Sequence, residues 1–141
     1  MSEPSGPVTG DGYAATHLDA MGDGYGFRKV RRALDVTAFG VNAVVMPAGY
    51  EGGWHYHDEQ EELYFVHRGR MEFAFGDGTS VVLGPGGFLR VDPPTERKLR
   101  NVGDGDAVYV IAGGKDGYVG RDGRMPEGEQ RSQASGPPGA A

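Results

Sequence analysis

Two histidines, His55 and His57, stand one residue apart, and a run of acids (Asp58, Glu59, Glu61 and Glu62) follows them. On an extended strand alternate side chains share a face, so the two imidazoles point the same way, about 7 Å apart along the backbone. Tyr56 between them points to the opposite side. A short polar bend after His57 would bring the next strand alongside and set Glu61 or Glu62 next to the pair. Two imidazoles and one carboxylate on neighbouring strands make a facial site for a divalent first-row metal. The same residues also read as a polar strand end with a solvated turn, the usual fate of acidic runs. Spacing leaves both readings open. It also leaves open which glutamate belongs, because Leu63/Phe65 and Tyr64/Val66 are equally apolar and strand parity does not choose between them.

Other chemistries fall away on composition. The chain has no cysteine, which removes disulfides, thiolate zinc sites and cysteine nucleophiles. No serine sits in a nucleophile elbow, and the glycine-rich stretches at 84–87 and 76–78 read as turns, since no helical pattern follows them to receive a phosphate. A net charge of −6 argues against a nucleic-acid partner. The one basic cluster, Arg28, Lys29, Arg31 and Arg32, is expected on the solvated face of a strand. With no apolar run of membrane length and no signal-peptide pattern, a soluble cytoplasmic protein without a membrane partner is the expectation.

The elements that must position the pair are strands. A length of 141 residues suits one domain, and 26 glycines and 9 prolines between short apolar runs fit an all-β domain with many turns. Strands are expected in 36–49, 62–69, 70–87, 88–92, 97–103 and 107–114, with a hairpin turn at Asp77-Gly78. Residues 16–21 fit one helical turn. Residues 1–12 read as a flexible arm, 13–125 as the domain and 126–141 as a disordered tail.

Around the histidines the spacing is Gly49, His55, His57, Glu62, Gly69, spanning 21 positions. This resembles the first motif of the cupins, a superfamily of small double-stranded β-helix (jelly-roll) barrels, and keeps all five of its signature residues. The resemblance implies that Glu62, not Glu61, is the acid, and that His55, His57 and Glu62 are metal ligands lining the barrel. It implies a divalent transition metal (Fe, Mn, Ni or Zn) as cofactor. It covers about residues 35–115. Cupins commonly pair, so a homodimer is expected, with the strands at 36–45 and 107–114 able to supply the interface.

The second motif is degenerate. Gly86 and Asn101 match it, but Arg97 stands where the family has a further histidine, and Asp92 and Pro94 stand at its proline and second glycine. Arginine keeps its proton and has no lone pair to offer a cation. Two outcomes follow. Either Arg97 pairs with Glu62 and takes over the metal's electrostatic role, or it swings aside and leaves a three-ligand metal with open positions, where it can grip a carboxylate. Tyr64 and Val66 share the parity of Glu62 and can line the pocket, Tyr64 as a hydrogen-bond donor to a ligand. His67 has the opposite parity and is expected to face away, His17 to lie at the surface, and Trp54 to cover the mouth or meet a neighbouring subunit. The functional expectation is a small-molecule pocket with a metal centre, as in an oxygenase or isomerase. Two alternatives stand beside it: a metal-free protein binding an anion through Arg97, or a non-catalytic structural module.

Overall fold

Most of the alternating apolar runs become strands whose inward positions meet in one core. The computed structural model describes residues 6–127. In chain order it contains β1 (Val8–Gly10), β2 (Tyr13–Ala15), β3 (Gly26–Arg28), the short helix α1 (Val30–Leu34), β4 (Gly40–Met46), β5 (Tyr56–His57), β6 (Glu61–Arg68), β7 (Met71–Phe75), β8 (Ser80–Leu83), β9 (Phe88–Val91), β10 (Arg97–Asn101), β11 (Ala107–Gly114) and β12 (Gly123–Arg124).

Two sheets carry the structure, one ordered β3-β4-β11-β6-β9 and the other β10-β7-β8. Every pairing is antiparallel, and β7 and β8 form the hairpin expected at Asp77-Gly78. Period-two alternation turns Val44, Met46, Tyr64, Val66, Val91, Ala107 and Tyr109 of the larger sheet inward. They meet Met71, Phe73 and Leu99 of the smaller one in a single cluster. The Tyr64 and Phe73 rings touch edge to face across the gap, 5.2 Å between centroids.

Residues 49–55 run beside β10 as an irregular fourth strand. Gly49 N donates to Asn101 O, Gly52 N to Leu99 O, and His55 and Arg97 exchange both backbone hydrogen bonds at 2.9 and 3.0 Å. Partners in such a bridge share a face, so His55 and Arg97 both turn inward. Past His55 the chain leaves this edge to pair β5 with β12.

Three expectations change. The basic cluster does not lie on a solvated strand: β3 ends at Arg28 and the rest enters α1. Arg28 itself is buried, with Nη2 donating 2.7 Å to Gly24 O. The cause is β3's edge position. Phe27 packs on the core, so its neighbour Arg28 faces outward, where the glycine loop at 22–24 folds over it. Residues 36–39 stay outside the strand, because Asp35 ends α1 in the left-handed region and the chain needs a bend before Gly40. Within the segment expected to be a loose arm, Val8–Gly10 pairs with Tyr13–Ala15 as an exposed hairpin. Residues 1–5 of that arm and residues 128–141 of the expected tail lie outside the described residues. The single helical turn falls at Leu18–Ala20, started by His17, whose exposed ring accepts from Asp19 N. No helix among the described residues is long and apolar enough to cross a membrane.

Candidate metal centre

Three strand systems converge on one point. The 49–57 segment brings His55 and His57, β6 brings Glu62 and Tyr64, and β10 brings Arg97. His55, His57 and Glu62 each offer a ligand atom, all within 4.8 Å of one another. The two imidazoles stand nearly perpendicular, 5.4 Å between centroids. Donors bound to one ion at about 2.1 Å sit about 3 Å apart when adjacent, so the three groups stand within reach of a common ion. Two imidazoles and one carboxylate are the donor set that first-row divalent ions take.

Arg97 is the largest fully buried side chain, with no solvent exposure at all. Its Nη2 donates to Glu62 Oε1 at 2.5 Å, Nη1 to Thr95 O at 2.8 Å, and Nε to Tyr64 OH at 3.4 Å. Tyr64 OH donates to the same Glu62 oxygen at 2.8 Å. Of the two arrangements foreseen for Arg97, this structure holds the one in which it pairs with Glu62.

Asp122, which no sequence pattern singles out, completes the arrangement. The β5–β12 pairing places it behind His57, with Oδ1 2.8 Å from Nδ1. It also accepts from Glu59 N at 2.9 Å and Gln60 N at 3.0 Å. A carboxylate can only accept, so Nδ1 carries the proton, and the nearby Gln60 amide donates to Asp122 Oδ1 rather than to the ring. Nε2 is left facing Glu62 Oε1 at 3.3 Å. A carboxylate behind a histidine in this way fixes the ring's orientation and tautomer for a metal. Gly113 is the other residue that sequence reasoning missed. It lies opposite Glu62 in the β11–β6 register, and a Cβ there would fall 2.5 Å from Gln60 Oε1.

Burial and neighbouring charge shift each of these groups. Burial, then the Arg97 charge, push His55 down to about 4, so it is neutral at pH 7. Burial alone would raise Glu62, but hydrogen bonding and charge from His57, with Arg97 and Tyr64 behind, bring it to about 2. For His57, burial pulls the pKa down, and Glu62 and Asp122 outweigh it, leaving a net rise. Burial, then the Glu62 carboxylate, push the Tyr64 phenol well up, so it stays a donor.

A pH dependence of the metal-free fold follows. His55 titrates lower in the folded chain than its ordinary 6.5, so the unfolded state takes up the extra proton, and stability falls as pH drops from about 6.5 to about 4. Glu62 acts in the same direction lower down, its contribution lost between about 4.5 and about 2. His57 works oppositely: its contribution is present below 6.5 and fades as pH rises through its elevated value. Urea denaturation of chelator-treated protein is expected to lose stability in both acid windows, and His55→Ala to remove the upper one. A flat profile between pH 6.5 and 4 would contradict the burial of His55.

The remaining residues fall as parity requires. His67 is exposed and turned away from the cluster. Trp54, opposite in parity to His55, lines a groove of about 510 Å³ with Glu72, Phe75, Thr79, Ser80 and Glu96. No member of the histidine cluster lines that groove, so Trp54 and His55 serve opposite sides of one segment.

A family model described as the cupin domain matches residues 42–113, just over half of the chain. No curated protein matches the sequence. Among solved structures, a cupin protein from Bacteroides fragilis is 22% identical, with a TM-score of 0.63 over 86% of this chain and 98% of its own. The cupin domain of Schizosaccharomyces pombe Cnp3 is 19% identical at a TM-score of 0.53, over 56% of this chain and 57% of that one. A DMSP lyase from Ruegeria pomeroyi is 26% identical at a TM-score of 0.54, over 64% of this chain and 45% of its own. The chain therefore spans little more than half the length of the Schizosaccharomyces structure and less than half of the lyase. These likenesses fix the fold as a double-stranded β-helix.

Proposed function

The chain belongs to the cupin family, and on that premise we propose that it is a small metal-dependent enzyme acting on a small organic molecule, as an oxygenase or isomerase would. His55, His57 and Glu62 hold one divalent ion of Fe, Mn, Ni or Zn. The observation that carries this reading is the Asp122–His57 contact of 2.8 Å, which spends a buried carboxylate on keeping Nε2 aimed into the cluster. A bound ion would supply Lewis acidity at open coordination positions. The protein's part is to hold two imidazoles and an ionised carboxylate around it, with Tyr64 as a neutral donor and the Arg97 cation beside Glu62. The likeness to a DMSP lyase supports an enzyme over a purely structural module.

Elemental analysis of protein purified without chelator is expected to find one divalent ion per chain. His55→Ala/His57→Ala is expected to lose it while keeping its far-UV circular dichroism. Unchanged metal content in that double variant would sink the site.

A second reading has its own observation. Arg97 Nη2 already sits on Glu62 Oε1 at 2.5 Å, as a resident cation in the metal's electrostatic place. On that reading the protein binds an anionic metabolite without metal, and elemental analysis finds none even after reconstitution.

We also propose a cytoplasmic homodimer. Its interface is the outer face of the larger sheet, where Leu63 and Phe88 are exposed and Phe65 stacks on Phe88 at 4.7 Å. Sedimentation velocity is expected to give a dimer for the native chain and a monomer for Phe88→Asp. A monomeric native chain would overturn the proposal.

A further inference from the structure

One oxygen in the centre is over-subscribed. Glu62 Oε1 faces Arg97 Nη2 at 2.5 Å, Tyr64 OH at 2.8 Å and His57 Nε2 at 3.3 Å. An ion bound through Oε1 competes with those donors for its lone pairs. His57 resolves its own conflict, because as a ligand its Nε2 presents a lone pair to the ion in place of a proton. Tyr64 is neutral and packed on Phe73. Arg97 has no such escape: it keeps its charge, has no exposure, and its other partners, Thr95 O and Tyr64 OH, are uncharged.

Charge counting makes the conflict concrete. Without metal, and with both imidazoles neutral, Arg97, Glu62 and Asp122 sum to one negative charge. A dication turns the same cluster to one positive charge within a buried setting, where such an excess is poorly tolerated. The missing component is an anion. A carboxylate suits the guanidinium arm that Glu62 would give up, since the planar fork of arginine matches carboxylate geometry. His55 and His57 are the partly exposed members of the cluster, and His55 is the backbone partner of Arg97.

We infer that a divalent metal and a carboxylate ligand bind this centre cooperatively, because Arg97 exchanges Glu62 for the ligand as the metal takes Glu62. This rests on the metal reading above and adds to it a ligand class and a dependence of metal occupancy on that ligand. The centre is stable empty, through the Arg97–Glu62 pair, and stable with both components, and it resists metal alone.

The test uses Co2+ and acetate as probes on the full-length, chelator-treated protein. Co2+ binding is followed by calorimetry and by its visible absorption, with saturating acetate or with chloride at equal ionic strength. The cobalt–acetate complex formed in protein-free buffer is subtracted. In the native chain, acetate is expected to tighten Co2+ binding by about tenfold or more, and Co2+ to tighten acetate binding by the same factor, as linkage requires. Arg97→Gln is expected to bind Co2+ more tightly than the native chain in chloride, with an acetate effect within about twofold. Equal Co2+ affinity in acetate and chloride for the native chain would overturn the coupling. So would a full acetate effect in Arg97→Gln, which would place acetate on the metal alone. If neither protein binds Co2+ in either buffer, the metal reading itself falls, and the coupling with it.

Discussion

In the metal-free protein, Glu62→Leu is expected to destabilise the fold by about 3–5 kcal/mol, the cost of stranding one member of a buried ion pair. For a domain of this size the melting temperature should drop by roughly 10–20 °C. The charge left behind is Arg97, fully buried and paired with no other acid among the described ion pairs. Tyr64 and His57 lose their shared acceptor in the same step. Arg97→Leu/Glu62→Leu should recover most of the loss, because exchanging both charges for apolar groups removes the desolvation penalty together with the attraction. Urea denaturation of the four proteins in the cycle gives the coupling directly. Should Glu62→Leu lose less than about 1 kcal/mol, the guanidinium has another way to be satisfied, and the account of the empty centre is wrong.

Gly69→Val carries the second large effect, expected at about 2–5 kcal/mol. Gly69 has φ +85, a region that costs a side-chain-bearing residue about 1–2 kcal/mol. A Cβ there would lie 2.8 Å from Ala107 Cα and 2.9 Å from Asp106 O, backbone atoms that cannot step aside, adding about 1–3 kcal/mol of overpacking. Gly78 isolates the first contribution, since it has φ +91 but nothing within 4 Å of a Cβ. Gly78→Ala should therefore cost less than Gly69→Ala by the overpacking part. Equal losses at the two positions would mean that the β6–β7 turn relaxes away from β11. The glycine at 69 thus serves the close passage of two strands, not the metal chemistry.

Strand content was readable because period-two alternation and turn glycines are local signals. The segments around β6, β7, β8, β9, β10 and β11 carry both. The basic run at 27–32 misleads because a charged residue on an edge strand can be roofed by a loop, and nothing local in Arg28 announces the fold of 22–24 over it. At the centre, His55, His57 and Glu62 were legible from spacing and family resemblance. The resemblance also brought Arg97 to notice by the histidine it displaces. Its pairing with Glu62 was one of two open outcomes, decided by the His55–Arg97 bridge. Asp122 was invisible. It follows His57 by 65 residues in a stretch that reads as an ordinary turn, and only the β5–β12 pairing puts it behind the ring. Gly113 gives no sign either, since its constraint is the room that Gln60 occupies from the bend before β6.

The pairing of β12 with β5 has a bearing on biosynthesis. Arg124 clasps Asp58 at 2.9 Å, Asp58 N reaches Asp122 O, and Asp122 steadies His57, so the last described stretch of chain fastens down a residue made long before it. Until residues 122–124 are in place, His57 lacks its carboxylate partner and the bend at 58–60 lacks the two backbone bonds that Asp122 accepts. The ring's orientation is therefore set by a C-terminal strand that belongs to neither of the two sheets enclosing the apolar interior.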